Sequence, residues 1–125
     1  MADGFWCPHC ETSRSLRILQ SVDIGAAGNF DEVAIQSIEC DRCGKRGMAI
    51  YEESRRGALD DESVAHTGYW LDRETAVHIG LLLSACQGGP RQNESGAELK
   101  KRYSGHFTAA PIAVAGKEGF PLEYR

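Results

Sequence analysis

The stretch VAIQSIECDRCGKRGMAIYEES, residues 33–54, decides the fold. Its first part alternates as a strand must, with Val33, Ile35 and Ser37 on one face and Ala34, Gln36 and Ile38 on the other. After a short polar break the alternation resumes, Met48, Ile50 and Glu52 facing away from Ala49 and Tyr51. The break itself is CDRCG (40–44), in which Cys40 and Cys43 share one tight turn and Gly44 tolerates the positive φ such a turn needs. The stretch therefore predicts two antiparallel strands joined by a turn that carries two thiols.

Upstream, RSLRILQSVDIG (14–25) also alternates, Leu16, Ile18 and Gln20 against Arg17, Leu19 and Ser21. AAGNFDE (26–32) reads as a loop rich in small and turn residues. Strand, loop and strand make a long hairpin that leaves FWCPHC (5–10) and returns to CDRCG. That hairpin accounts for the 29 residues between the two C-x-x-C pairs, longer than the usual spacer of about 15–20. Downstream, RRGALDDES (55–63) is a polar loop and VAHTGYWL (64–71) a further strand, so the expected sheet is antiparallel with three or four strands.

Four of the five cysteines, Cys7, Cys10, Cys40 and Cys43, thus form two pairs that one hairpin can bring together. Zinc takes four soft ligands in a tetrahedron, with sulfur at about 2.3 Å, and a full thiolate shell leaves no position for a catalytic water. A structural zinc held by these four cysteines is the expectation. A redox role would need a βαβ pattern around one pair, and none follows Cys10. His9 lies inside the first pair between two better ligands and reads as solvent-facing. Cys86 sits in an apolar helical pattern and reads as a buried free thiol.

Cys7-Pro8-His9-Cys10 and Cys40-Asp41-Arg42-Cys43-Gly44 resemble the two knuckles of the zinc-ribbon superfamily. The resemblance covers roughly residues 5–70. It implies that each knuckle sits at a hairpin turn and that a small antiparallel sheet carries the metal at one end. It implies a scaffold and not an activity, because ribbons serve transcription factors, polymerase subunits, ribosomal proteins and protein-interaction modules alike.

The pattern changes at Asp72. DRETAVHIGLLLSACQGGP (72–90) opens on an N-cap aspartate and stops at two glycines and a proline. Its apolar residues, Val77, Ile79, Leu81, Leu82, Leu83 and Cys86, cover more than one stripe, which predicts a largely buried helix under the sheet or against a second subunit. RQNES (91–95) reads as a connector, and SGAELKKRY (95–103) as a short second helix with a capping box at Ser95 and Glu98. Residues 106–125 are apolar but broken by Pro111, Gly116, Gly119 and Pro121, an extended tail or one or two short strands. The expected class is therefore α+β, with a zinc-ribbon β-domain at 1–71 and a helical extension with its tail at 72–125.

The net charge of −4 divides evenly, nine acids and seven bases in residues 1–59 and the same in 60–125. That argues against a broad phosphate-binding surface and leaves room for a small local basic patch. The longest apolar cluster, IGLLLSAC (79–86), is far short of the roughly 20 residues of a membrane span, and the start MADGFWCPHC has no signal-peptide run. The chain reads as cytoplasmic, where thiols stay reduced.

Two functions from different classes follow. The first is an interaction module that recognises a protein or nucleic acid through the ribbon and sheet, with the helix and tail serving a homodimer or a docked partner. Lys45, Arg46, Arg55 and Arg56 would supply its basic patch, and Tyr51, Tyr69 and Trp70 would add stacking surfaces, while Phe5 and Trp6 cover the metal. The second is a small thiol- or metal-dependent enzyme using His66, His78 or Cys86. His78 and Cys86 are two helical turns and so about 12 Å apart, which leaves that reading dependent on His66. Glu52, Glu53, Asp60 and Asp61 read as solvated surface, since neighbours in a strand point to opposite faces. The non-enzymatic reading is preferred, with no residue assigned to catalysis.

Overall fold

The computed structural model describes residues 4–27, 30–54, 63–86, 99–103, 107 and 118–124. Its strands are β1 (Phe5–Cys7), β2 (Thr12–Ala27), β3 (Phe30–Cys40), β4 (Arg46–Ser54), β5 (Ser63–Trp70) and β6 (Phe120–Pro121), and they lie side by side in chain order, every neighbour antiparallel. One helix, α1 (Arg73–Ala85), follows β5, and residues 99–103 form a second helical segment.

The sheet curls into a half-barrel. The Trp6 N–H donates to the Glu123 carbonyl at 2.8 Å, so the chain just beyond β6 returns to β1. The Phe5 ring stacks on Tyr124 at 4.6 Å and meets His66 of β5 edge-on. Small residues make room inside the curl. Ala49 and Gly68 are opposed in register, and a Cβ at Gly68 would lie 2.7 Å from the Phe120 ring. The bend has a source in β2, where one extra residue is inserted near Leu19 and another near Ile24, with a further slip on β3 before Val33; each slip tightens the local twist.

Those slips change the faces. Alternation places Leu16, Ile18 and Gln20 together, but beyond Leu19 the strand turns over. Gln20 accepts from the Ser37 hydroxyl and donates to Ser84 at the end of α1. Val22 and Ile24 then join Val33, Ile35 and Met48 in an outer core with Leu71, Ala76, Ile79, Leu83, Cys86, Leu99, Tyr103 and Phe107. The inner face carries the second core, in which Leu16, Ile38, Ala49 and Leu122 surround Cys7 and Cys40.

The α+β expectation, a sheet of three or four strands with one buried helix and a short second one, is therefore corrected: the described residues are mostly β, with six strands and two short helices. β1 and β6 span three and two residues, too few to show a period, and β6 contains a proline. The helix is also less buried than its composition implies. Only Ala76, Ile79 and Leu83 are fully covered in α1, while Val77 and Leu81 stay 45% and 65% exposed. Its apolar residues exceed one stripe because one flank faces outward. The Ser95–Glu98 capping box, the 91–95 connector and most of the 106–125 tail lie outside the described residues.

Candidate metal centre

Cys7 ends β1 and Cys40 ends β3, while Cys10 and Cys43 sit in the turns that follow. Because β2 pairs with β3 and Leu16 lies opposite Cys40, the two hairpin turns meet at one end of the sheet. The two turns share one backbone device. The Glu11 N–H donates to the Cys7 carbonyl at 2.8 Å, and the Gly44 N–H donates to the Cys40 carbonyl at 3.0 Å. Both closing residues are left-handed, Glu11 at φ 54 and Gly44 at φ 76. Sequence shows the device only in the second knuckle, because the first uses a glutamate where a glycine is the usual signal. The turns are laced to each other by the Asp41 N–H to the Ser15 carbonyl, 2.8 Å, and by the exposed Arg17–Asp41 ion pair, 2.7 Å.

The four sulfurs all lie within 4.8 Å of one another. Cys7 and Cys43 are 3.9 Å apart and Cys10 and Cys40 3.6 Å, all four being free thiols. A tetrahedron with metal–sulfur bonds of about 2.3 Å has edges of about 3.8 Å, so the cluster matches a four-thiolate shell. The donors are soft and the shell is complete, a set that could hold a metal ion of tetrahedral preference.

The surroundings prepare the sulfurs unequally. Burial raises the Cys40 thiol, but the N–H groups of Cys43 and Arg42, each 3.4 Å from its sulfur, together with Ser15, outweigh that and bring it down to about 6. Cys7 has less help against desolvation and is pushed up to about 12. Burial also raises Cys43. A cation at the centre would offset the desolvation that raises Cys7 and Cys43.

The apolar cover differs from the one the sequence suggests. Phe5 does pack on the inner core, with its ring turned to Tyr124 and His66, but Trp6 is outside that cluster. Trp70 and Phe120 take its place, tilted together at 4.6 Å. Lys45 lies over the Trp70 ring at 5.5 Å and His9 approaches its edge at 6.4 Å. Tyr51 and Tyr69 are likewise absorbed, Tyr51 by Glu53 and His66, and Tyr69 by the outer core.

The other candidate residues do not converge. His66 points into the curl, its Nε2 2.6 Å from Gln36 Oε1 and its ring flanked edge-on by Phe5 and Tyr51. Burial holds it below the ordinary histidine range, so it is neutral near pH 7. Cys86 is buried on the opposite face of the sheet, where desolvation raises its thiol, and His78 is exposed on α1. Glu53 accepts from Tyr51 inside the curl, whereas Glu52 accepts from Tyr103 outside it. Sequence reasoning missed the polar row that joins Ser21, Gln36 and His66, whose partners are visible only once the register is known. Arg55, Arg56, Asp60 and Asp61 lie outside the described residues.

No family model matches the chain, and no curated protein or solved structure is significantly similar to it. Among the described residues, no helix is long and apolar enough to cross a membrane.

Proposed function

We propose that this chain is a zinc-stapled β-module of zinc-ribbon type that works by binding a protein or nucleic acid and not by catalysis. One observation carries the reading: four thiol sulfurs at tetrahedral spacing fill a closed shell. Zinc suits four thiolates, and a closed shell has no place for a water or a substrate. Both knuckles stand at hairpin turns at one end of an antiparallel sheet, which favours the ribbon-type arrangement. The divergence of His66, His78 and Cys86 removes the support for a thiol enzyme.

Metal analysis of the native protein, combined with alkylation, tests this. The reading expects one zinc per chain, four thiols shielded by it, and a Cys86 that alkylates only after denaturation. Bound iron, no bound metal, or a Cys86 that reacts rapidly in the folded protein would each overturn it.

A further inference from the structure

Beside the second knuckle, a cavity of about 460 Å³ is lined by Gly44, Lys45, Arg46, Leu71 and Arg73. Among the described residues that line it, three of five are cations and none is an acid. We propose that this pocket binds a ligand through adjacent phosphate groups; the inference rests on the binding-module reading above and names its ligand chemistry.

The cations are fixed by different means. Lys45 rests over the Trp70 ring at 5.5 Å, and its carbonyl accepts from Cys40 N–H at 2.9 Å, so its position is set by the knuckle. Arg46 gives its Nε to Glu39 at 2.7 Å, and its carbonyl accepts from Leu71 N–H at 3.0 Å. Glu39 steers that guanidinium without lining the pocket. Arg73 opens α1, whose N-terminal end adds partial positive charge. The nearest carboxylate in sequence, Asp72, is committed to the Thr75 N–H at 2.7 Å. At Gly44 even an added Cβ would meet nothing within 4 Å, so the mouth is open beside the backbone.

The size and charge select the ligand. The cavity is within the range of small-ligand sites, about 300–1,000 Å³, and is larger than a single carboxylate needs. Three cations around one cavity match a multiply charged anion, and guanidinium groups match phosphate oxygens in pairs. Base recognition is not what the site offers. The Trp70 ring is engaged by Lys45 and by Phe120, so the contact is to phosphate and carries no sequence reading. Part of the net charge of −4 lies at the opposite end of the sheet. Glu32 lies opposite Glu53 near the far ends of β3 and β4, and Asp23 raises the Glu32 carboxyl from the neighbouring strand.

Adjacent phosphates occur both in small phosphorylated molecules and in a nucleic-acid backbone, and the experiment separates them. The full, zinc-loaded chain is titrated with pyrophosphate and, separately, with a short oligothymidylate, following backbone amides by NMR. Pyrophosphate should move the amides around Gly44–Arg46 and Leu71–Thr75. The double variant Lys45→Gln/Arg73→Gln should weaken binding by about tenfold or more. Zinc content should be unchanged in that variant, and Lys101→Gln, an exposed cation that is not among the pocket's lining residues, should bind as the parent does. Tighter binding of the oligothymidylate at the same amides, with a salt slope near −2 for about three neutralised phosphates, assigns the backbone as the source. Binding of pyrophosphate alone assigns a small phosphorylated molecule.

The proposal is overturned if millimolar pyrophosphate and the oligothymidylate both leave these amides unmoved, or if the double variant binds as well as the parent. Either result leaves the zinc stoichiometry and the inert Cys86 untouched, so failure of the pocket is distinguishable from failure of the module.

Discussion

Stripping the metal should cost this fold its knuckle end first. The zinc proposed for this cluster would, by joining Cys10 to Cys40, close a loop spanning 30 residues. The chain-entropy expression for a cross-link of that span gives about 4 kcal/mol. Domain stabilities are about 5–15 kcal/mol, so the staple is a large part of the whole. At this chain length each kcal/mol moves the midpoint by about 3–5 °C, which puts the expected drop at about 10–20 °C. The loss should also be local. The outer core of Val33, Ile35, Met48, Ile79 and Leu83 contains no ligand, whereas Cys7 and Cys40 belong to the inner core. The assay is a thermal melt with and without a chelator, under reducing conditions, joined to amide exchange. The N–H groups of Cys40, Asp41 and Gly44, bonded to Lys45, Ser15 and Cys40 carbonyls, should exchange first. Cys40→Ser should reproduce the effect, and Cys86→Ser should show undiminished dependence on metal. A metal-free chain melting within about 2 °C of the loaded one, with those amides equally protected, would refute the reasoning.

Glu11→Gly should raise stability slightly, by about 0.5 kcal/mol, because relief of the left-handed strain outweighs the entropy that glycine adds to the unfolded chain; a urea-denaturation loss above about 1 kcal/mol would show that the turn does not need that conformation. His66 should titrate below the ordinary 6.5, since burial disfavours its cation. Its contribution to stability is then complete above pH 6.5 and is lost as pH falls through the folded-state value. An NMR midpoint at or above 6.5 would contradict the buried Gln36 contact.

The knuckles and the four long strands were legible because each signal is local. Two residues between cysteines, a glycine after the second pair and a period of two need no knowledge of the rest of the chain. Asp72 as an N-cap was legible for the same reason, and its carboxylate does accept from Thr75 N–H at 2.7 Å. What stayed hidden depends on residues far apart in sequence. β1 and β6 exist because Trp6 finds Glu123 and because Gly68 leaves room for Phe120, facts that neither segment carries alone. The face of Gln20 does not follow from alternation, because bulges do not interrupt the hydrophobic pattern; they only shift which side it serves. Arg73 joins Lys45 and Arg46 at one cavity only after β5 has been laid beside β4.

The cysteine cluster and the cationic cavity share one turn. Cys43 brings its sulfur to the cluster, and Gly44, Lys45 and Arg46, which follow it directly, line the cavity. The hydrogen bond from Cys40 N–H to the Lys45 carbonyl makes one peptide group serve both sites. Trp70 connects them again, covering the inner core that holds Cys7 and Cys40 while supporting Lys45 on its face. A staple that fixes the second knuckle therefore also fixes the spacing of Lys45 and Arg46 relative to Arg73. A metal held by the four cysteines would thus organise the open surface next to it, because Cys43 and Lys45 belong to one turn.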